Sequence, residues 1–271
     1  MEEIIIQERK KIILVNSHRR SGTHFLIDSL RKNISNAYFP NHFAIPADFN
    51  VGSLFAKSNK ITQTFVELIN KNENPVIIKS HLLPEEMNIE KPRDLHESFI
   101  KSIYDRAFKL YVYRDGKDVL SSLYNYLDPK HKNSFSQFLR QPNDHIVEKI
   151  RQPSAFDQNR VCYWDYHLNS WKKTPNTHIV SYSELKANFQ NTMESILRFL
   201  DIDNVSNKKI LPPQIPKNKL FHGIQKRLNH FGLAHLPESS SVKPRKGTEG
   251  DSKNYFTPTD LIYFNENITN K

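Results

Sequence analysis

Cysteine occurs once in the 271 residues, at Cys162. That excludes an intramolecular disulfide framework and any zinc site built from several cysteines. Glycine is nearly as scarce, with seven residues, and 15 prolines complete a composition that excludes collagen-like and glycine-rich low-complexity chains. No apolar run approaches the roughly 20 residues of a membrane span. The first residues, MEEIIIQERKK, lack the basic start and longer apolar stretch of a secretory leader. These absences lead to the expectation of a soluble protein of a reducing, cytoplasmic compartment.

What is present supports a folded chain. Hydrophobic residues make up 37%, and 17 Phe and 11 Tyr supply large side chains for a core. The length suits one large domain or two small ones. Lys and Arg number 39 against 29 Asp and Glu, a net charge of +10. Such a balance favours polyanionic partners, such as nucleic acid, a phosphate-bearing cofactor or acidic lipid. The excess is concentrated from Lys208 to Lys253, with ten basic residues against three acidic ones. Either an anion meets this segment or it forms a solvated basic surface.

Four short runs rich in β-branched and aromatic residues read as buried strands: Lys11–Asn16, Pro75–Lys79, Phe108–Tyr113 and Thr177–Tyr182. Helix-like segments follow the first (HFLIDSLRKN), the third (KDVLSSLYNYL) and the fourth (SELKANFQNTMESILRFL). Strands alternating with helices predict an α/β fold with a central parallel sheet flanked by helices on both faces. Ligands in such folds sit beyond the carboxyl ends of the strands. Phe39–Asn50 and Asp128–Asn159 read as loop-rich caps, and the tail from Leu211 to Gly250 is basic and punctuated by proline.

The segments just past the strands carry the chemistry. After the first, a loop of small and basic residues runs into a helix. Its first-turn N–H groups and dipole suit a phosphate. Ser21 and Thr23 add hydroxyls, Gly22 lets the backbone approach, and Arg19 and Arg20 add charge. The phosphate loop of nucleotide kinases differs in having a leading glycine and a lysine after the second one. An ordinary capped helix is the plain alternative. After the second strand come Lys79 and His81, two residues apart and so on one side of an extended chain. His81 is the side chain suited to take a proton near neutral pH. After the third come Arg114, fit for bidentate phosphate recognition, Gly116 for a turn, Asp118 and an inward-facing Ser122. A fourth cluster, Pro244–Asp251, could close on a phosphate through its backbone amides, Arg245 and Lys246. Trp164, His167 and Trp171 share a helical face that reads as core rather than acceptor contact.

Together these clusters resemble the cytosolic-type sulfotransferases that use 3'-phosphoadenosine-5'-phosphosulfate (PAPS). The family's PKSGTTW appears as RRSGTHF (Arg19–Phe25), KTHLP as KSHLL (Lys79–Leu83), and RNPKDVxVSxYxF as RDGKDVLSSLYNY (Arg114–Tyr126). YEDLK appears as YSELK (Tyr182–Lys186), and RKGxxGDWKNxFT as RKGTEGDSKNYFT (Arg245–Thr257). The resemblance implies a P-loop-like three-layer αβα domain spanning 1–271. It implies cap-like insertions at about 36–60 and 128–160, and a basic segment at about 208–257 that closes on the cofactor. It implies PAPS as donor and PAP as product, no metal, and a small-molecule acceptor offering a hydroxyl or amine.

Site roles follow by the same resemblance. Arg19, Arg20, Ser21, Gly22, Thr23 and His24 would hold the 5'-phosphosulfate. Phe25, where the family has Trp, would stack on adenine, and Tyr182 would line the nucleoside site. Arg114, Ser122, Arg245, Lys246 and Gly247 would bind the 3'-phosphate. His81 would be the base, with Lys79 and Arg20 as catalytic cations. Arg20 replaces the family's Lys, and Ser252 replaces the Trp of GDWKN. The family's dimer pattern KxxxTVxxxE keeps Lys253 and Thr257 but has Pro258 and Ile262 at its later positions, leaving monomer and homodimer both open. Two other readings compete: a phosphoryl-transferring P-loop enzyme, and a basic nucleic-acid-binding protein. For the acceptor, Phe39, Phe43, Phe49 and Phe55 offer an apolar slot. Asp48, Glu85, Glu86 and Asp144 offer partners for a cation.

Overall fold

The computed structural model describes residues 6, 11–34, 37, 51, 59–128, 130, 132–142, 158–202, 210, 212 and 249–269. Four strands, β1 (Ile12–Asn16), β2 (Val76–Ser80), β3 (Phe108–Tyr113) and β4 (Thr177–Ser181), form one sheet in the order β2-β1-β3-β4. All three pairings are parallel. Parallel neighbours need crossovers, and helices supply them. The helices are α1 (Thr23–Asn33), α2 (Asn59–Lys71), α3 (Pro84–Met87), α4 (Leu95–Arg106), α5 (Gly116–Leu127) and α6 (Phe135–Arg140). They continue with α7 (Arg160–Lys173), α8 (Tyr182–Ala187), α9 (Phe189–Phe199) and, after a 3-10 turn at Asp251–Asn254, α10 (Pro258–Glu266).

β1, β2 and β3 are buried on both faces, and the edge strand β4 is half-buried, because their alternate residues feed two cores. Ile12, Leu14, Val76, Ile78 and Tyr111 face one cluster, with Phe65 of α2, Phe99 of α4 and Trp171 of α7. Ile13, Val15, Ile77, Leu110, Val112 and Val180 face the other, with Leu26 and Leu30 of α1 and Met193 and Leu197 of α9. The layered αβα arrangement read from the strand–helix alternation is the arrangement observed.

Several local expectations change. The run after β4 is two helices, since Asn188 leaves helical geometry (φ −127, ψ 53) and its N–H caps Glu184. Asn gives up helical backbone cheaply, because its side chain competes for backbone partners. The stretch read as a loop-rich cap contains α6, started by a capping box between Ser134 and Gln137. Gly116 makes no turn. It opens α5 where an added Cβ would lie 2.7 Å from Trp164 of α7 and 2.8 Å from Phe264 of α10, so close packing requires glycine there.

β1 connects to β2 on one side of the sheet, and β3 to β4 on the other. The strand order therefore reverses between β1 and β3, which is where open α/β sheets bind ligands. The register sets Asn16 level with Ser80 and Tyr111, and Tyr113 level with Ser181. The next residues along the four strands are thus Ser17, His81, Arg114 and Tyr182.

Candidate active site

The loop from β1 to α1 is tight. The Ser21 N–H donates to the His18 carbonyl at 3.3 Å, and Arg20 and Gly22 adopt positive φ of 69 and 102. Gly22 is the residue before α1, and no side chain caps the helix. The Thr23 hydroxyl instead meets Ser17 Oγ at 2.6 Å, and no acidic residue stands in the first turn of α1. The ordinary capped-helix alternative is therefore not what forms. A Cβ on Gly22 would lie 2.3 Å from Tyr182 Cδ2, so the β4 end presses its ring onto this loop. Ser21 Oγ is buried without a hydrogen-bond partner among the described residues, a donor left over at the helix start.

Three cations gather at these strand ends. Lys79 is buried, and its Nζ lies 3.3 Å from His24 Nε2. An ammonium has no lone pair, so His24 Nε2 accepts. The Nε of Arg20 donates to Ser122 Oγ at 3.1 Å, and its guanidinium sits 5.2 Å from the Tyr126 ring centre. Arg19 and Lys79 lie close enough to His81 to disfavour its protonated form.

His81 sits just past β2, buried. Its Nδ1 is 2.7 Å from the Ser17 carbonyl oxygen. A carbonyl can only accept, so Nδ1 carries the proton, and Nε2 accepts no hydrogen bond among the described residues. Burial, and next the charges of Arg19 and Lys79, hold its pKa well below the ordinary histidine value against the Ser17 hydrogen bond. At neutral pH the ring is uncharged, with its lone pair on Nε2.

Past β3, Arg114 donates to Asp118 Oδ2 at 3.1 Å and stacks 5.3 Å from the Tyr182 ring centre. Asp118 also accepts from the Gly250 N–H at 2.9 Å and the Ser252 N–H at 3.1 Å. Burial opposes its ionisation, but these two N–H groups and then Arg114 outweigh it and lower its pKa. Asp118 is therefore the residue whose role sequence reasoning missed. It aims Arg114 and pins the tail onto the start of α5. Its position four residues after Arg114, in the first turn of α5, is the signal that could have found it. Phe25 meets Tyr182 and Phe189 edge-on, at 5.8 and 6.4 Å between ring centres.

Arg245, Lys246 and Gly247 lie outside the described residues, as do Phe39, Phe43, Phe49, Phe55, Asp48 and Asp144. Glu86 does not await a cation. It is 2% exposed and accepts the Leu83 N–H at 2.7 Å, while Glu85 accepts from the Tyr166 hydroxyl. Trp164, His167 and Trp171 are buried, and the Trp171 indole donates to the Leu82 carbonyl. Among the described residues no group of three or more His, Cys, Asp or Glu is placed to hold a metal ion. None of the described helices is long and apolar enough to cross a membrane.

Comparison with known proteins bears on the fold and the family. The family model for the sulfotransferase domain matches residues 10–271. Sulfotransferase 1B1 of Mus musculus is 29% identical over 209 residues, 73% of this chain and 62% of its own length. Sulfotransferase 2A1 of Macaca fascicularis is 26% identical over 98% of this chain and 85% of its own length. The chain thus spans less than two thirds of the first relative and most of the second. Among solved structures, mouse sulfotransferase SULT7A1 complexed with PAP superposes with a TM-score of 0.57 at 19% identity, covering 98% of this chain and 87% of that one. A retinol dehydratase in complex with retinol and PAP superposes at 0.50 and 15% identity, covering 99% and 83%. These likenesses show a shared fold. Of the three readings open from the sequence, the family match selects one: the chain belongs to the sulfotransferase domain family.

Proposed function

We propose that the protein transfers a sulfuryl group from PAPS to a hydroxyl or amine of a small-molecule acceptor, by in-line attack with His81 as base. The observation that carries this reading is the fixed His81 ring, which keeps its proton on Nδ1 and its lone pair on Nε2, with Lys79 and Arg19 near enough to disfavour its charged form.

The residues present fit an anionic donor. The uncapped α1 start, the left-handed Gly22, the unpartnered Ser21 Oγ and three nearby cations are what a phosphosulfate requires. PAPS, when bound, supplies the sulfuryl group: the acceptor's oxygen or nitrogen bonds to sulfur as the sulfur–oxygen bond to the 5'-phosphate breaks, its electron pair leaving on PAP. Arg19–Thr23 and His24 would hold the 5' end. Arg20 and Lys79 would stabilise negative charge there, Arg20 purely electrostatically, because a guanidinium does not give up a proton. Arg114 and Ser122, with Arg245, Lys246 and Gly247, would hold the 3'-phosphate, and Phe25 and Tyr182 the nucleoside. His81 Nε2 would take the acceptor's proton. The chain would act as one domain in a cytoplasmic setting.

Calorimetry with adenosine-3',5'-bisphosphate, AMP, ATP and a short DNA duplex at two salt concentrations tests the cofactor assignment. Selective binding of the bisphosphate is expected. Salt-sensitive DNA binding with no such preference overturns it.

A further inference from the structure

We propose that His167 is a positioning residue for His81. It acts through a buried hydrogen-bond chain that joins the ends of β1, β2 and β3 and holds the His81 backbone where the ring can keep its Nδ1 proton on the Ser17 carbonyl. The inference rests on the reading of His81 as base and adds what holds that base in its working form.

The chain has four bonds. The His18 N–H, past β1, donates to Tyr111 Oη of β3 at 3.3 Å. Tyr111 Oη lies 2.8 Å from His167 Nδ1 of α7. His167 Nε2 lies 3.1 Å from the carbonyl oxygen of His81. His81 Nδ1 lies 2.7 Å from the carbonyl oxygen of Ser17, next to the His18 where the chain began. Tyr111 is 1% exposed and His167 0%, so no solvent competes.

Only one proton arrangement satisfies all four bonds. The His81 carbonyl can only accept, so His167 Nε2 carries a proton. Burial holds His167 at about 4, so at neutral pH the ring has one proton and Nδ1 is an acceptor. Tyr111 must then donate its hydroxyl proton to Nδ1, which leaves its oxygen free to accept from His18. The Ser17 carbonyl likewise places the proton of His81 on Nδ1. His167 thus fixes the peptide plane of His81 while Ser17 fixes its ring. The surroundings favour neutral rings: His81 faces Arg19, Lys79 and His167, while His167 faces Arg19 and packs against His18, Tyr111 and Tyr163. Among the described residues no carboxylate joins the chain.

The test uses the full chain with 15N-labelled histidines and bound adenosine-3',5'-bisphosphate. Ring nitrogen shifts read the tautomer of each histidine directly. In the unaltered protein His81 should be Nδ1-protonated and His167 Nε2-protonated at pH 7. A His81 carrying its proton on Nε2 overturns the proposal whatever any variant does. His167→Asn keeps a polar group near Tyr111 but removes the donor to the His81 carbonyl. His81 should then populate both tautomers. His167→Gln, whose amide nitrogen can take the place of Nε2, should restore the single tautomer. Affinity for the bisphosphate should stay within twofold in both. An unaltered His81 signal in folded His167→Asn overturns the positioning role and leaves the base reading standing. Full turnover in His81→Ala removes the base itself and the proposal with it.

Discussion

Protonating His167 should destabilise the fold by an amount that follows from its burial. Its ring is 0% exposed, and burial lowers its pKa from 6.5 to about 4, with Arg19 adding to the shift and its backbone hydrogen bonds opposing it. Because the folded value lies below the unfolded one, the unfolded chain binds the proton first as pH falls. Stability from this group is therefore complete above about pH 6.5 and is lost progressively toward pH 4. Between pH 7 and pH 4.5 the loss integrates to about 2.5 kcal/mol, from 1.36 kcal/mol per unit of difference in proton binding. His167→Gln cannot titrate, so it should lack this increment. Urea unfolding of both proteins at pH 7 and pH 4.5 isolates it, since the other histidines and the carboxylates titrate in each. The unaltered protein should lose roughly 2.5 kcal/mol more than the variant on acidification. Parallel losses, within about 0.5 kcal/mol, would refute the claim that this imidazole is buried neutral.

His81→Ala should lower turnover about 100-fold or more, the usual contribution of a general base, in an assay of PAP formation with an accepted substrate; unchanged turnover removes His81 from that role. Arg114→Ala should weaken adenosine-3',5'-bisphosphate binding by about 1.5–3 kcal/mol. An equal effect on AMP, measured by calorimetry, would sink the 3'-phosphate assignment. Asp118→Asn takes away the charge that holds Arg114 and the N–H groups of Gly250 and Ser252, so bisphosphate affinity should fall roughly tenfold, or about 1.4 kcal/mol. Affinity equal to that of the unaltered protein would show that the clamp does not position Arg114. Gly22→Ala sets a Cβ 2.3 Å from the Tyr182 ring at a φ of 102, and should cost about 2–4 kcal/mol in urea unfolding. An unchanged midpoint would contradict the close approach.

The sequence by itself determined the strands and the segments that follow them. Each strand is a short β-branched or aromatic run, three of them largely buried and the edge strand β4 half-buried, a pattern that needs no distant partner to read. The reading of Arg19–Thr23 as a phosphate loop was equally local, since it rests on the residue types of one loop entering one helix. Two features escaped that local reading. Phe135–Arg140 spans six residues, and Asn188 breaks a run whose spacing continues across it. Tertiary structure alone decided the strand order β2-β1-β3-β4, and with it which strand ends meet. His81 and Ser17 are 64 residues apart in the chain, and Asp118 and Ser252 are 134 apart. Nothing in either local pattern names the other member. The proton positions on His81 and His167 are likewise beyond any sequence reading, because a histidine's tautomer is set by the groups facing its two nitrogens, and those come from other strands and helices.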